Sequence, residues 1–122
     1  MSKANVVDSS AWLEYVGGTE RSSLFAEAIE DVDNLYVPVI CLYEVYKKML
    51  RERGDDAAFT VTTIMRNGHI VDIDSALAVS AARYALPLAD SLIYATARKC
   101  NAILWTQDGD FDGLSDIRYI PK

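Results

Sequence analysis

Five short β-rich runs, separated by longer stretches of helical periodicity, most constrain what this chain can fold into. The runs are Asn5 to Asp8, Leu35 to Val37, His69 to Ile73, Ala102 to Thr106 and Ile117 to Ile120. Alternation of this kind marks a mainly parallel sheet covered by helices. Between the strands, Leu24, Phe25, Ala28, Ile29 and Val32 recur at helical spacing, as do Leu42, Val45, Tyr46, Met49 and Leu50, and both stripes are expected in the core. Asp55 and Asp56 after Gly54, and Asp74 before Ser75, are positioned as helix N-caps, their side-chain oxygens accepting from backbone N–H groups that have no helical partner. Pro87 should end one helix and let another start near Leu88. At 122 residues the chain makes one domain, 1–122, with no linker, repeat or low-complexity segment. The expected fold is a three-layer α/β/α sandwich around about five mainly parallel strands.

Composition narrows the function more by exclusion than by assertion. Apolar residues make up 51% of the chain, a globular proportion. No apolar run reaches the roughly 18 residues that span a bilayer, and the N-terminus has no signal-peptide pattern, so a cytoplasmic location is expected. Cys41 and Cys100 are far apart in helical segments and have neither a second Cys nor a His at ligand spacing, so they read as reduced core residues. The net charge of −6, from 18 acidic and 12 basic residues, argues against simple coating of nucleic acid. That objection weakens if several acids are neutralised by bound metal. His69 is the only histidine and no Gly-x-Ser-x-Gly elbow occurs, which removes a Ser-His-Asp hydrolase; His69 reads as buried or strand-edge packing. A phosphate-binding glycine loop is also missing.

The chemistry sits in the acids. In an open parallel sheet, ligands bind beyond the carboxyl ends of the strands. Asp8 ends the first strand just before a helix, and Asp108 lies two residues past Thr106, where the fourth strand gives way to a loop. Glu44 falls early in the helix after the second strand, which keeps it near the same edge. Asp90 falls in the first turn of the helix after Pro87 and converges only if that helix runs back over the edge. Carboxylates brought together repel one another without a counter-charge, and oxygen ligands without His or Cys select Mg²⁺ or Mn²⁺. A site of that kind suits phosphodiester hydrolysis. Ser10 and Thr106 offer hydroxyls to the ligands or to a phosphate. Each residue also has a plainer role. Asp8 fits an N-cap, Glu44 stands four residues before Lys48 as an ion pair, Asp90 suits the positive end of its helix, and Asp108, Asp110 and Asp112 suit turns.

Taken as a set, Val7-Asp8-Ser9-Ser10-Ala11-Trp12-Leu13, Tyr43-Glu44-Val45, Leu86-Pro87-Leu88-Ala89-Asp90-Ser91-Leu92 and Thr106-Gln107-Asp108-Gly109-Asp110-Phe111 resemble, in order and spacing, the motifs of PIN-domain proteins, and more narrowly of VapC-type toxins of prokaryotic toxin–antitoxin pairs. The resemblance spans essentially the whole chain. It implies that Asp8, Glu44 and Asp90 are the core acidic residues, with Asp108 as the fourth and Asp110 as a nearby contributor, and that Ser10 and Thr106 take the polar supporting positions. It further implies Mg²⁺-dependent endonucleolytic cleavage of RNA, with Mn²⁺ as a substitute, leaving a 3′-hydroxyl and a 5′-phosphate. A homodimer blocked by a cognate antitoxin is implied as well.

Two other readings compete. A phosphoacceptor receiver domain shares the length, the architecture and an acidic Mg²⁺ site, but only Asp72 or Asp74 could serve as acceptor and the remaining pieces are missing. A non-catalytic PIN-like module would act through protein contacts alone. Lys47, Lys48, Arg51 and Arg53 form the densest basic cluster, either for phosphate contact or as an ordinary solvated helix face. Trp12, Leu13 and Val16, or Tyr43 and Tyr46, would pack against a partner or in the core.

Overall fold

A computed structural model describes residues 3–122. The strands are β1 (Asn5–Val7), β2 (Tyr36–Pro38), β3 (His69–Val71), β4 (Ile103–Thr106) and β5 (Ile117–Tyr119). The helices are α1 (Ser9–Val16), α2 (Ser22–Glu30), α3 (Val39–Arg53), α4 (Asp55–Met65), α5 (Ser75–Ala81) and α6 (Leu88–Lys99). Every strand pairing is parallel. Val6 lies opposite Leu104 and Val7 opposite Trp105, Leu104 lies opposite Ile117, and Tyr36 lies opposite His69. The expected sheet is divided into a three-stranded ladder, β1-β4-β5, and a two-stranded ladder, β2-β3, joined by a single bridge from Asn5 to Leu35. With strands only three or four residues long and twisted against their neighbours, one missing pair is enough to make that break.

β1 explains why helices must cover both sides. Successive strand residues point to opposite faces, and Val6 and Val7 are both fully buried. Trp12, Phe25 and Ile29 pack with them in one continuous core that also takes in Val45, Ile93 and Leu104. Each aliphatic side chain buried in this way contributes about 1.5–3 kcal/mol relative to exposure.

The helical stripes are narrower than their periodicity implies. In α3 the buried residues are Cys41, Val45 and Met49, one row at four-residue spacing. Tyr46 and Leu50, one position further round the helix, remain exposed, as do Leu24 and Val32. The expectation of core packing fails for Tyr46 and Leu50 because a single row already fills the α3 contact; in α2 the buried face is Phe25, Ala28 and Ile29, and Val32 falls in the 3-10 turn that follows it. Asp55 and Asp56 are also not caps. They are the first two residues of α4, where their charge faces the positive helix end, and Gly54 holds the junction at φ +88°, ψ −178°, a conformation open essentially to glycine. Asp74 does cap α5, accepting from the Leu77 N–H at 2.8 Å, and α6 begins at Leu88 as Pro87 requires.

His69 is exposed on β3, stacked on Tyr36 with ring centroids 4.8 Å apart, so it is a strand-edge residue and not a buried one. Cys41 is buried and Cys100, which closes α6, is half-buried; both thiols are free. Among the described residues no helix is long and apolar enough to cross a membrane.

Candidate active site

The acids gather at the carboxyl edge of the β1-β4-β5 ladder. Asp8 follows β1 directly, and its N–H donates to the Trp105 carbonyl of β4 at 3.1 Å, which fixes it against that strand. Its side chain is buried and takes both roles read from the sequence. Oδ1 caps α1 by accepting from the Ala11 N–H at 2.9 Å and also accepts from the Ser10 hydroxyl at 3.2 Å. Oδ2 accepts from the Thr106 hydroxyl. Burial pushes the Asp8 carboxyl above its ordinary range, and the hydrogen bonds from Thr106, Ala11 and Ser10 pull against that.

Thr106 is the hub. Its hydroxyl donates to Asp8 and accepts from the Asp108 N–H at 2.9 Å, so one buried oxygen ties the first strand's acid to the loop after the fourth. Asp108 in turn accepts the Asp110 N–H on Oδ1 at 2.9 Å, capping the 3-10 turn Gly109–Phe111. That bond is the turn chemistry expected of this segment, and it leaves Oδ2 of Asp108 unused by any hydrogen bond among the described residues.

α6 carries Asp90 to the same place because it runs antiparallel to the strand that follows it. From Asp90 to Lys99 the helix covers about 14 Å, and from Ile103 to Asp108 the extended chain covers about 16 Å, so the two acids finish level. Carboxylate oxygens of Asp90, Asp108 and Asp110 lie within 4.8 Å of one another. Burial pushes the Asp90 carboxyl up to about 6, with Asp108, Asp8, Asp110 and Glu44 adding repulsion in that order. Glu44 and Asp8 thus flank the triplet closely enough to act on it electrostatically.

Glu44 is not paired with Lys48, which reaches Glu52 at 3.8 Å. Its Oε1 accepts from the Ser9 hydroxyl at 2.6 Å, joining the start of α1 to α3 across 35 residues. Ser9, which the sequence reading does not mark, thus joins Ser10 in bonding one of the clustered acids. A second addition is Gln107. It is buried between Thr106 and Asp108 and accepts from Arg21 Nε at 2.9 Å, while the same guanidinium donates to the Ile120 carbonyl at 2.9 Å and lies 3.4 Å from Glu14. This clamp fixes the end of β4, and nothing in the local sequence around either residue signals it.

Among the described residues none of the five carboxylates Asp8, Glu44, Asp90, Asp108 and Asp110 makes an ion pair. Close carboxylates without a counter-charge, offering only oxygen, fit a hard divalent cation. Among the described residues Asp72 makes no side-chain hydrogen bond and Asp74 caps α5, and neither belongs to the acid cluster, as a phosphoacceptor beside the metal-binding acids would have to.

The comparisons with known proteins agree with this architecture. A toxin–antitoxin complex from Klebsiella pneumoniae superposes with a TM-score of 0.80 at 19% identity, covering 96% of this chain and 100% of that one. VapC20 of Mycobacterium tuberculosis, described as a Sarcin-Ricin loop cleaving toxin, gives 0.77 at 20% identity, covering 97% and 100%. VapBC2 of Rickettsia felis bound to promoter DNA gives 0.74 at 12%, covering 97% and 98%. At these identities the likeness is one of fold. No curated protein matches the chain in sequence. The family model of the PIN domain, however, matches residues 6–117, and the chain belongs to that family.

Proposed function

We propose that this PIN-domain protein is a Mg²⁺-dependent endoribonuclease, the toxin of a prokaryotic toxin–antitoxin pair. The observation that carries the reading is the unpaired acid cluster of Asp90, Asp108 and Asp110, flanked by Asp8 and Glu44, at the ligand-binding edge of a PIN fold. The toxin–antitoxin setting of the superposable Klebsiella complex and the RNA-loop cleavage attributed to VapC20 support the same assignment.

In this reading Asp8, Glu44, Asp90 and Asp108 hold the metal, with Asp110 contributing from the exposed side. A Mg²⁺ or Mn²⁺ ion held by these residues would supply the counter-charge for the cluster and for a phosphodiester and would lower the pKa of a water. The protein's own part is positioning. Thr106 and the α1 N-terminus fix the Asp8 carboxylate, Ser9 fixes Glu44, and the Arg21–Gln107 clamp holds the loop bearing Asp108. Water adds to phosphorus and the bond to the 3′-oxygen breaks, giving a 3′-hydroxyl and a 5′-phosphate. A cognate antitoxin covers the site, the protein is a homodimer, and it works in the cytoplasm.

The test is cleavage of total cellular RNA by purified, antitoxin-free protein with Mg²⁺, with Mn²⁺ and with EDTA. Discrete cuts that require metal and disappear in Asp90→Asn are expected. Absence of cleavage by folded protein across metals and RNA pools would overturn the assignment in favour of a non-catalytic module.

A further inference from the structure

The acid cluster has a basic neighbour. Between α1 and α3 runs a groove of about 420 Å³ whose walls include Ser9, Ser10, Tyr43 and Glu44 together with Lys47, Lys48 and Arg51. A second depression shares Ser10, Leu13 and Lys48 with it and adds Arg53 and Lys122. Five cations of a protein with 12 Lys and Arg and a net charge of −6 therefore line one continuous trough. Its acids are largely occupied: Glu52 pairs with Lys48, Glu14 with Arg21, and Glu44 takes the Ser9 hydroxyl. Among the described residues Lys47 and Arg51 form no ion pair, and both are exposed.

From these features we infer that the α1/α3 groove is the track for the single-stranded RNA backbone flanking the cut; the inference rests on the ribonuclease reading above. Three features favour this occupant. First, the groove is continuous with the acid cluster through two hydroxyls, since Ser9 bonds Glu44 and Ser10 bonds Asp8. A phosphodiester held at the cluster must lay its neighbouring phosphates beside it. Second, Lys47 and Arg51 stand one turn apart on α3 with Lys48 beside them, an arrangement that can follow a polyanion and give sequence-independent grip. Third, Tyr43 stands 57% exposed on the groove wall with Lys47 Nζ 3.2 Å from its hydroxyl and 5.4 Å from its ring centre. A cation-flanked, solvent-facing aromatic is the platform on which unpaired bases stack.

The experiment measures binding, so that it does not depend on turnover. A fluorescein-labelled single-stranded RNA of mixed sequence is titrated by anisotropy with Asp90→Asn protein in Mg²⁺ at several salt concentrations. Adding Lys47→Gln and Arg51→Gln should weaken binding at least tenfold and flatten the slope of log affinity against log salt by about 1.4, two contacts at about 0.7 each for single strands. Tyr43→Ala should cost roughly tenfold with the salt slope unchanged. Lys3→Gln with Lys99→Gln removes the same charge at the opposite end of the sheet and should leave affinity near that of the parent. Equal losses from the two double variants would reduce the effect to bulk charge and overturn the proposal. Unchanged RNA affinity with lost binding of a polyglutamate peptide would overturn it in favour of an acidic protein partner. If the wild-type protein cuts no RNA but binding depends on the groove as described, the nuclease reading falls and the groove is an RNA-binding surface without a cut beside it; cleavage with binding that ignores the groove removes the track alone.

Discussion

The two halves of the acid site are built on opposite principles. Asp8 is buried and fully bonded, holding a helix N-terminus with one oxygen and Thr106 with the other. Asp90 is half-exposed and has no hydrogen-bond partner among the described residues; burial, reinforced by repulsion from four other acids, pushes its carboxyl up to about 6. One half is finished by the protein alone, and the other leaves its carboxylates without a counter-charge, which in the proposed function a cation supplies. In the bonded half a carboxylate organises the fold that carries it. In the open half carboxylates strain the fold until something neutralises them.

Breaking the open half should cost the most activity. Asp90→Asn is expected to remove RNA cleavage below detection while far-UV circular dichroism stays native. Disturbing the bonded half should cost less: Thr106→Val deletes the hydroxyl that links Asp8 to Asp108 but leaves every acid in place, and a drop of about ten- to a hundredfold in the cleavage rate is expected, as for residues that orient metal ligands.

Stability should move in opposite directions in the two halves. Asp8→Ala loses a helix cap and strands the Thr106 hydroxyl, while relief of burying a charge works against that, for a net loss of about 1 kcal/mol in denaturant melts. Asp90→Ala should instead stabilise the metal-free protein at pH 7 by about 1 kcal/mol, discounted heavily because solvent screens this half-exposed carboxyl. The sign follows from linkage. A carboxyl raised from 3.8 to about 6 in the folded state contributes stability that is fully present below pH 3.8 and is lost as pH rises through about 6. Thermal melts in EDTA should therefore fall between pH 4 and 7 in the wild type, fall less in Asp90→Asn, and recover with Mg²⁺ at pH 7. The smallest effect belongs to the clamp: Arg21→Met should slow cleavage a few-fold, read against an unchanged far-UV spectrum.

The contrast was only half legible in the sequence. Asp8 and Asp108 could be placed because each follows a strand, and strand ends in a parallel sheet define an edge. The direction of α6, and with it the position of Asp90, depended on a tertiary arrangement that periodicity does not encode. Spacing within a helix pointed Glu44 at Lys48, whereas its bond goes to Ser9, 35 residues away, and no local rule reports such a partner. The same holds for Arg21 and Gln107, which are 86 residues apart. Tyr46 and Leu50 misled for a related reason. Helical periodicity identifies a face, but how much of that face is covered depends on the width of the neighbour, so a one-row contact left them in solvent.

The account turns on whether the open half takes a metal, and calorimetric titration of the purified protein with Mn²⁺ at pH 7.5, repeated with Asp90→Asn and Asp8→Asn, measures that directly. Saturable binding by the wild type that is lost in Asp90→Asn and weakened in Asp8→Asn is the predicted result. A folded wild type that takes no Mn²⁺, or an Asp90→Asn protein that binds it undiminished, would contradict the assignment of this acid cluster as a metal centre.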